Sequence, residues 1–414
     1  MSRTINLYYL FRALSSAFFF KVFLVFFYLD QNLNFAEIGI LQSIFAVTVI
    51  LFEIPTGFWA DRFGRKNTMG HGALIMAIAS LSFYFFSGFM WFAILEFLLA
   101  LGLTFTSGAD SAFLYELIKK SGKEKLYAKL EGKAGFAKHT GIALSSLTGG
   151  FIASYNLRLL FPATAFMLFF AYLITLKIPS SSSSSGRRKS HSVALHIQNG
   201  LSLIKKQKSL WWTIFYSSVL FFLIRSSDTL LQPVMKANGF DYKIIGFFAS
   251  VGSIIAAISS RFTFFMMKKW TESVLIWGFL LMLTLSYILF AKSSGILLIP
   301  LVLLNLGVQG IYSPFTKTLL NRSISYSPMR ATLLSLESSV KRFVVALLMP
   351  LMGVFIDNFG LKYGLFFSSA IGFLSLLILF LSFTDKLKKS LKIDENFESD
   401  KILSDNLNAY VEKS

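Results

Sequence analysis

The sequence predicts an all-α polytopic membrane protein, with twelve transmembrane helices in two pseudo-symmetric six-helix bundles. Three observations carry this. The 414 residues are 55% hydrophobic and only 15% charged, whereas a soluble domain of this size carries about 25% charged residues. Apolar stretches of about 20 residues recur along the whole chain, each long enough to cross a ~30 Å hydrocarbon core as a helix. Segments in the second half echo segments in the first.

Taken in order, the apolar runs and their charged or Gly/Pro punctuation give spans at 6–29, 37–60, 69–88, 91–117, 131–154 and 158–178. The remaining spans fall at 209–235, 242–267, 272–292, 295–320, 330–356 and 360–384. They are called spans 1 to 12. Residues 1–178 form the expected N-terminal bundle and 209–384 the C-terminal one. Between them, 179–208 reads as a serine-rich, basic linker whose 191–207 part suits a surface helix; 385–414 reads as a polar tail. The first apolar run lacks a small-residue cleavage site and reads as a retained span.

Lys and Arg set the orientation. With both termini in the cytoplasm, about 26 of the 40 basic residues fall in inner segments and about five in outer links. The expected location is the cell (plasma or inner) membrane, crossed many times. The net charge of +19 is then topology and lipid-surface charge, and no nucleic-acid partner is expected. There is no cysteine, and the four histidines at 71, 139, 191 and 196 have no zinc spacing, so neither metal nor cofactor is expected.

The halves resemble each other at two places. LNFAEIG at 33–39 matches FDYKIIG at 240–246, an offset of 207 residues. GGFIASYNLRLLF at 149–161 matches MGVFIDNFGLKYGLFF at 352–367 at an offset of about 203. Parallel six-helix repeats of this kind are common among secondary transporters.

The link between spans 2 and 3 reads GFWADRFGRK. Gly57, Asp61, Arg62, Gly64, Arg65 and Lys66 fill the pattern G-x-x-x-D-R-x-G-R-K/R, and the chain resembles the major facilitator superfamily in this motif and in its topology over the full length. The resemblance implies a secondary transporter that alternates between inward- and outward-open states. The residue chemistry suits a cytoplasmic gate. Gly57 permits close helix approach and Gly64 a tight turn. Asp61 suits a helix N-terminus or a basic partner, and Arg62, Arg65 and Lys66 suit the anionic leaflet. The bland reading is a charged loop that obeys the charge rule. The equivalent in the second half, near 264–273, keeps only Lys268 and Lys269, so a one-sided latch is expected.

Span 5 resembles the family's antiporter pattern G-x8-G-x3-G-P-x2-G-G through Gly132, Gly141, Gly149 and Gly150. Ser145 and Ser146 replace its Gly-Pro pair. Export and simple helix packing both remain open here. In span 4 the arginine that many proton antiporters of the family carry is absent, and Glu96, read as near the outer surface and solvated, is the charge in LEFLLALG.

Ionisable groups at membrane depth point to function by default. Lys21 in span 1 and Arg225 and Asp228 in span 7 lie in the outer half. The 207-residue offset maps Lys21 onto Asp228. Either Lys21 pairs with Asp228 across the centre, or Arg225 and Asp228 pair locally at i, i+3. Lys138 in span 5 maps onto Lys341, and His139 onto Arg342, with Glu337 placed to pair Lys341 at i, i+4. The basic excess favours an anionic or zwitterionic substrate unless Glu53 or Asp110 absorbs it. Those two carboxylates either hold the inner gate by pairing with Arg62, Arg65 or Lys138, or act as protonation switches.

The expected function is secondary active transport of a small solute by alternating access, coupled to H+, with export favoured and the chain working as a monomer in the lipid bilayer. Proton-coupled import of an organic anion or nutrient is the alternative within the class. A non-transporting sensor or scaffold on the same fold is the alternative outside it. An enzyme is not expected, since no catalytic cluster or phosphate-binding G-x4-G-K-S/T loop is present.

Overall fold

The structure, a computed structural model, describes residues 2–119, 126–179, 208–324 and 330–382. The expected linker, apart from its two ends, and the tail lie outside the described residues. So do 120–125 and 325–329. Every regular element among the described residues is helical.

Among the described residues, ten helices are long and apolar enough to cross a membrane. In chain order these are Phe35–Phe63 (span 2), Arg65–Phe85 (span 3) and Phe89–Lys119 (span 4). Leu157–Lys177 is span 6. The later spans are Leu210–Ala237, Tyr242–Lys269, Glu272–Lys292, Gly295–Ser323, Leu333–Phe359 and Leu361–Leu381 for spans 7 to 12. The other two predicted spans differ for physical reasons. Span 5 is one continuous helix, Tyr127–Tyr155, but Lys, Glu, His, Gly and Ser dilute its apolar character. Span 1 is two helices, Ser2–Leu14 and Leu24–Asp30, with a break between them inside the predicted run.

The break costs backbone hydrogen bonds that neighbours restore. Thr164 Oγ1 of span 6 accepts from the Phe19 N–H at 3.0 Å. Span 5 packs directly on the break: a Cβ at Gly141 would collide with the Ala13 carbonyl, and one at Gly149 would lie 2.9 Å from the Phe19 oxygen. Two of the glycines singled out in the sequence thus admit the irregular part of span 1. Unpaired backbone at membrane depth is tolerated only where protein or water satisfies it. Span 4 has a lesser break at Ser107–Gly108, where Gly108 has φ +82°.

The repeated sequences explain themselves at the end of the bundle opposite the link between spans 2 and 3. Asn34 caps span 2 with a capping box to Glu37, and Asp241 caps span 8 by accepting from the Ile244 N–H. Each cap is followed, five residues on, by a glycine pressed against another span. A Cβ at Gly39 would lie 2.6 Å from the Met349 oxygen of span 11; one at Gly246 would lie 2.6 Å from the Ser146 oxygen of span 5. The second repeat supplies the partners. A Cβ at Gly353 would collide with the Phe35 oxygen, and one at Gly150 would lie 2.7 Å from the Tyr242 oxygen. Phe35 and Tyr242 are themselves equivalent under the 207-residue offset. The same close approach is therefore built twice, between spans 2 and 11 and between spans 5 and 8.

Polar contacts reinforce this end. Asp357 of span 11 accepts from the Phe35 and Ala36 N–H groups at 2.9 and 2.8 Å, placing a carboxylate on the positive end of span 2. Ser43 donates to the Ala346 oxygen at 2.6 Å. Deeper in, Gln42 donates to Thr229 at 3.0 Å, and the innermost contact runs from Ser338 to Glu53 at 3.5 Å. Phe23 and Phe26 pack edge-on against Tyr242.

Candidate functional site

Two regions collect the residues singled out above: the link between spans 2 and 3, and the interior between spans 1, 4, 5, 7, 10 and 11.

At the link, Gly64 has φ +85° and ends span 2 while opening span 3, which is the turn its position calls for. Asp61 accepts from Arg65 at 3.3 Å, and Arg65 Nε donates to Glu116 of span 4 at 2.6 Å. The link charges therefore form a chain within spans 2, 3 and 4. Glu116 is a partner that the linear motif gives no sign of. Asp61 is 55% exposed, Arg62 is exposed and Lys66 half-buried, and Arg62 lies over the Phe63 ring at 5.3 Å. Gly57 faces open space, so the close approach expected there is not made in this structure. Gly132 at the same end of span 5 is likewise open.

Asp110 takes a partner other than those expected: it forms an ion pair with Arg12 of span 1. Glu53 keeps its side chain near span 11, where it accepts from Ser338 and, with Glu337, acts on Arg342.

The interior wall on the second-half side is a stripe of span 7 at helical spacing: Ser217, Phe221, Arg225 and Asp228. Arg225 pairs with Asp228 at 3.1 Å, so the local pair is the one formed. The other Asp228 oxygen accepts from Gln309 of span 10 at 3.1 Å. One turn inward, Glu337 of span 11 accepts from Ser217 and pairs with Lys341 at 3.0 Å, as the i, i+4 spacing predicts. The Arg225 and Lys341 cations both sit 5.5 Å from the Phe221 ring, and Tyr312 lies beside them with its hydroxyl on Ser217. Cations over an aromatic face are favourable where water is scarce.

From the first-half side come Lys21, in the break of span 1, and Lys138 and His139 of span 5. The charges of Asp228 and Arg225 reach Lys21, and those of Lys21, Arg12 and Lys317 reach Lys138. Both side chains keep exposed surface. Among the described residues neither Lys21, Lys138 nor Arg342 has a carboxylate within ion-pair distance. Arg342 Nε and His139 Nδ1 are buried without a partner.

Glu96 departs most from expectation. It is not solvated but 4% exposed, with Tyr28 donating to its carboxylate at 2.6 Å. Counting residues from the end of span 4 places it about 10 Å deep, but the count cannot show that Phe27, Phe83 and Phe92 close over its Tyr28 partner. Gln42, Ser217, Gln309 and Tyr312 were missed altogether; the only signal for them is a polar side chain inside an apolar run.

Residues 7–328 match the Major Facilitator Superfamily. The chain belongs to that superfamily. Curated relatives agree: it is 24% identical over 355 residues to the MFS-type transporter YxaM of Bacillus subtilis (strain 168), covering 81% of this chain and 84% of YxaM. It is 27% identical over 372 residues to the multidrug resistance protein MdtG of Proteus mirabilis (strain HI4320), covering 83% and 86%. The fold matches the crystal structure of a point mutant of the nucleoside transporter NupG with a TM-score of 0.78 at 14% identity, over 92% of this chain and all of that one. The protein is thus a multi-pass membrane transporter of this superfamily, and its partner is a small-molecule substrate.

Proposed function

We propose that this superfamily member exports a small solute in exchange for protons, and that the conformation described is its inward-facing state. The observation that carries the reading is the paired glycine contact of spans 2 with 11 and 5 with 8. It seals the end opposite the basic link, while Gly57 and Gly132 stand free at the link end. The excess of Lys and Arg assigns the link end to the cytoplasm. Residues 1–178 and 209–384 act as the two bundles that rock about the charged interior, and the chain works as a monomer. Export is supported by MdtG being named a multidrug resistance protein and by the span 5 glycines. The link motif acts as a gate whose contacts differ between states, which is how a conformational equilibrium is biased.

A second reading, proton-coupled import of an organic anion, is favoured by one observation: Lys21, Lys138 and Arg342 give the interior a surplus of positive charge. The sign of proton coupling separates the two. Reconstituted protein in proteoliposomes is given an imposed pH gradient and offered fluorescent lipophilic dyes and radiolabelled organic acids. Export by exchange predicts accumulation of a dye in an acidic lumen. Accumulation of an acid in an alkaline lumen favours import, and no proton-linked movement of any probe sinks both.

A further inference from the structure

The carboxyl group that the coupling scheme needs is identified by its surroundings. Glu53 has Ser338 and Arg342 nearby, Asp110 has Arg12, and Glu337 has Lys341. Asp110 and Glu337 each have a basic group within ion-pair distance; among the described residues Glu53 has none but is only half-buried. Glu96 has none within ion-pair distance among the described residues; its hydrogen-bond partner is the hydroxyl of Tyr28, itself 1% exposed. Around this pair lie Phe27, Phe83 and Phe92, and Leu95 and Leu99 of span 4 are buried beside it in the sequence. An ionised carboxylate in such a setting is costly unless a cation reaches it.

The charged and titratable groups that face Glu96 are few. From span 1 come Tyr28 and, further along, Lys21. From span 3 comes Phe83, which does not titrate. The carboxylates of span 2 are engaged elsewhere, Glu37 with Asn34 and Glu53 with Ser338. From span 7 comes Arg225, the one cation whose charge acts on Glu96. Arg225 belongs to the other half of the chain and is bound to Asp228, on which Lys21 also acts.

We propose that Glu96 is the proton-binding site of the transport cycle and that Arg225 is the group that empties it. This rests on the transporter reading and supplies the coupling residue for it. In the state described, Arg225 pairs with Asp228 and Glu96 carries the proton as a neutral acid that accepts from Tyr28. When spans 1 and 4 shift against span 7, Arg225 exchanges Asp228 for Glu96. The Glu96 O–H bond breaks, the proton passes to water in the interior, and the carboxylate keeps the electron pair and pairs with Arg225. Lys21 then takes Asp228. Charge balances: one proton leaves, and each carboxylate ends with one cation. The two pairings that the sequence left open, Arg225–Asp228 and Lys21–Asp228, become successive states of one cycle.

The probe is the proton itself, so no substrate need be known. Infrared difference spectra of the purified full-length protein in lipid are recorded across a pH titration. The wild type should show a protonated-carboxyl C=O band that Glu96→Gln removes. Arg225→Gln should keep that band and move its loss upward by about one pH unit or more, since a unit corresponds to a tenfold change in proton affinity. A band unchanged in Glu96→Gln overturns the assignment of the site. A band that Arg225→Gln leaves at the wild-type pH overturns the role of Arg225. A correct infrared result with no proton-linked flux in proteoliposomes would instead count against the transporter reading and leave the site standing.

Discussion

Gly39→Val should hold the transporter open at the end opposite the basic link and reduce turnover sharply. A Cβ at position 39 would meet the Met349 oxygen at 2.6 Å and the Pro350 Cα at 2.7 Å, both backbone atoms of a packed helix that cannot swing aside. Overpacking of this kind costs about 1–3 kcal/mol. The cost falls only on the state in which spans 2 and 11 touch, so it moves the equilibrium between states by about 5- to 150-fold. Gly246→Val, against the Ser146 oxygen of span 5, should do the same, because the contact is the repeat of the first. Gly57→Val should not perturb the state described, since nothing lies within reach of its Cβ. The check is distance measurement between spin labels on spans 2 and 11 at the end opposite the basic link. A broadened or lengthened distribution is expected in the Gly39 and Gly246 variants.

The second large effect is at the link. Asp61→Asn should lower transport about tenfold or more while leaving thermal stability within ~0.5 kcal/mol of wild type. The asymmetry follows from its contacts. Asp61 is 55% exposed and shares Arg65 with the better-buried Glu116, so its ion pair adds little to the state described. Its effect must come from the state in which the link end closes. In that state the proposed gate would give Asp61 a helix N-terminus or a basic group to meet. Lys268→Gln and Lys269→Gln should cost little, because these residues are exposed at the end of span 8, where Lys269 lies over the Trp270 ring at 5.8 Å. Parallel flux and melting measurements test this. Equal losses of transport in all three variants would contradict a one-sided latch.

The helical fold, ten of the twelve spans and the link motif were legible because each is local. Apolar runs of helical length, basic links and a motif of fixed spacing are properties of contiguous residues. The internal repeats were legible as resemblance but not as purpose. Only the packed structure shows that Asn34 and Asp241 cap, and that Gly39, Gly150, Gly246 and Gly353 press on carbonyls of other spans. The break in span 1 was hidden because AFFFKVF reads as uninterrupted apolar helix. Its stability depends on Thr164 and on two glycines more than a hundred residues away. Charge partners were illegible for the same reason. Lys341–Glu337 and Arg225–Asp228 lie on one helix and could be read from spacing, whereas Asp110–Arg12 and Arg65–Glu116 join different helices. Glu96 shows the limit of depth counting: its position along span 4 says how far in it lies, not what closes over it.

Accessibility of one introduced thiol tests the central claim most directly. The chain has no cysteine, so Lys138→Cys supplies the only thiol. Lys138 is exposed on span 5, on the link side of the glycine contacts. With a membrane-impermeant thiol reagent and no substrate, an inward-facing resting state predicts rapid labelling in inside-out vesicles, where the link end faces the reagent. It also predicts protection in right-side-out vesicles. Labelling that is as fast or faster from the opposite face would contradict both the assigned orientation and the sealed end on which the mechanism rests.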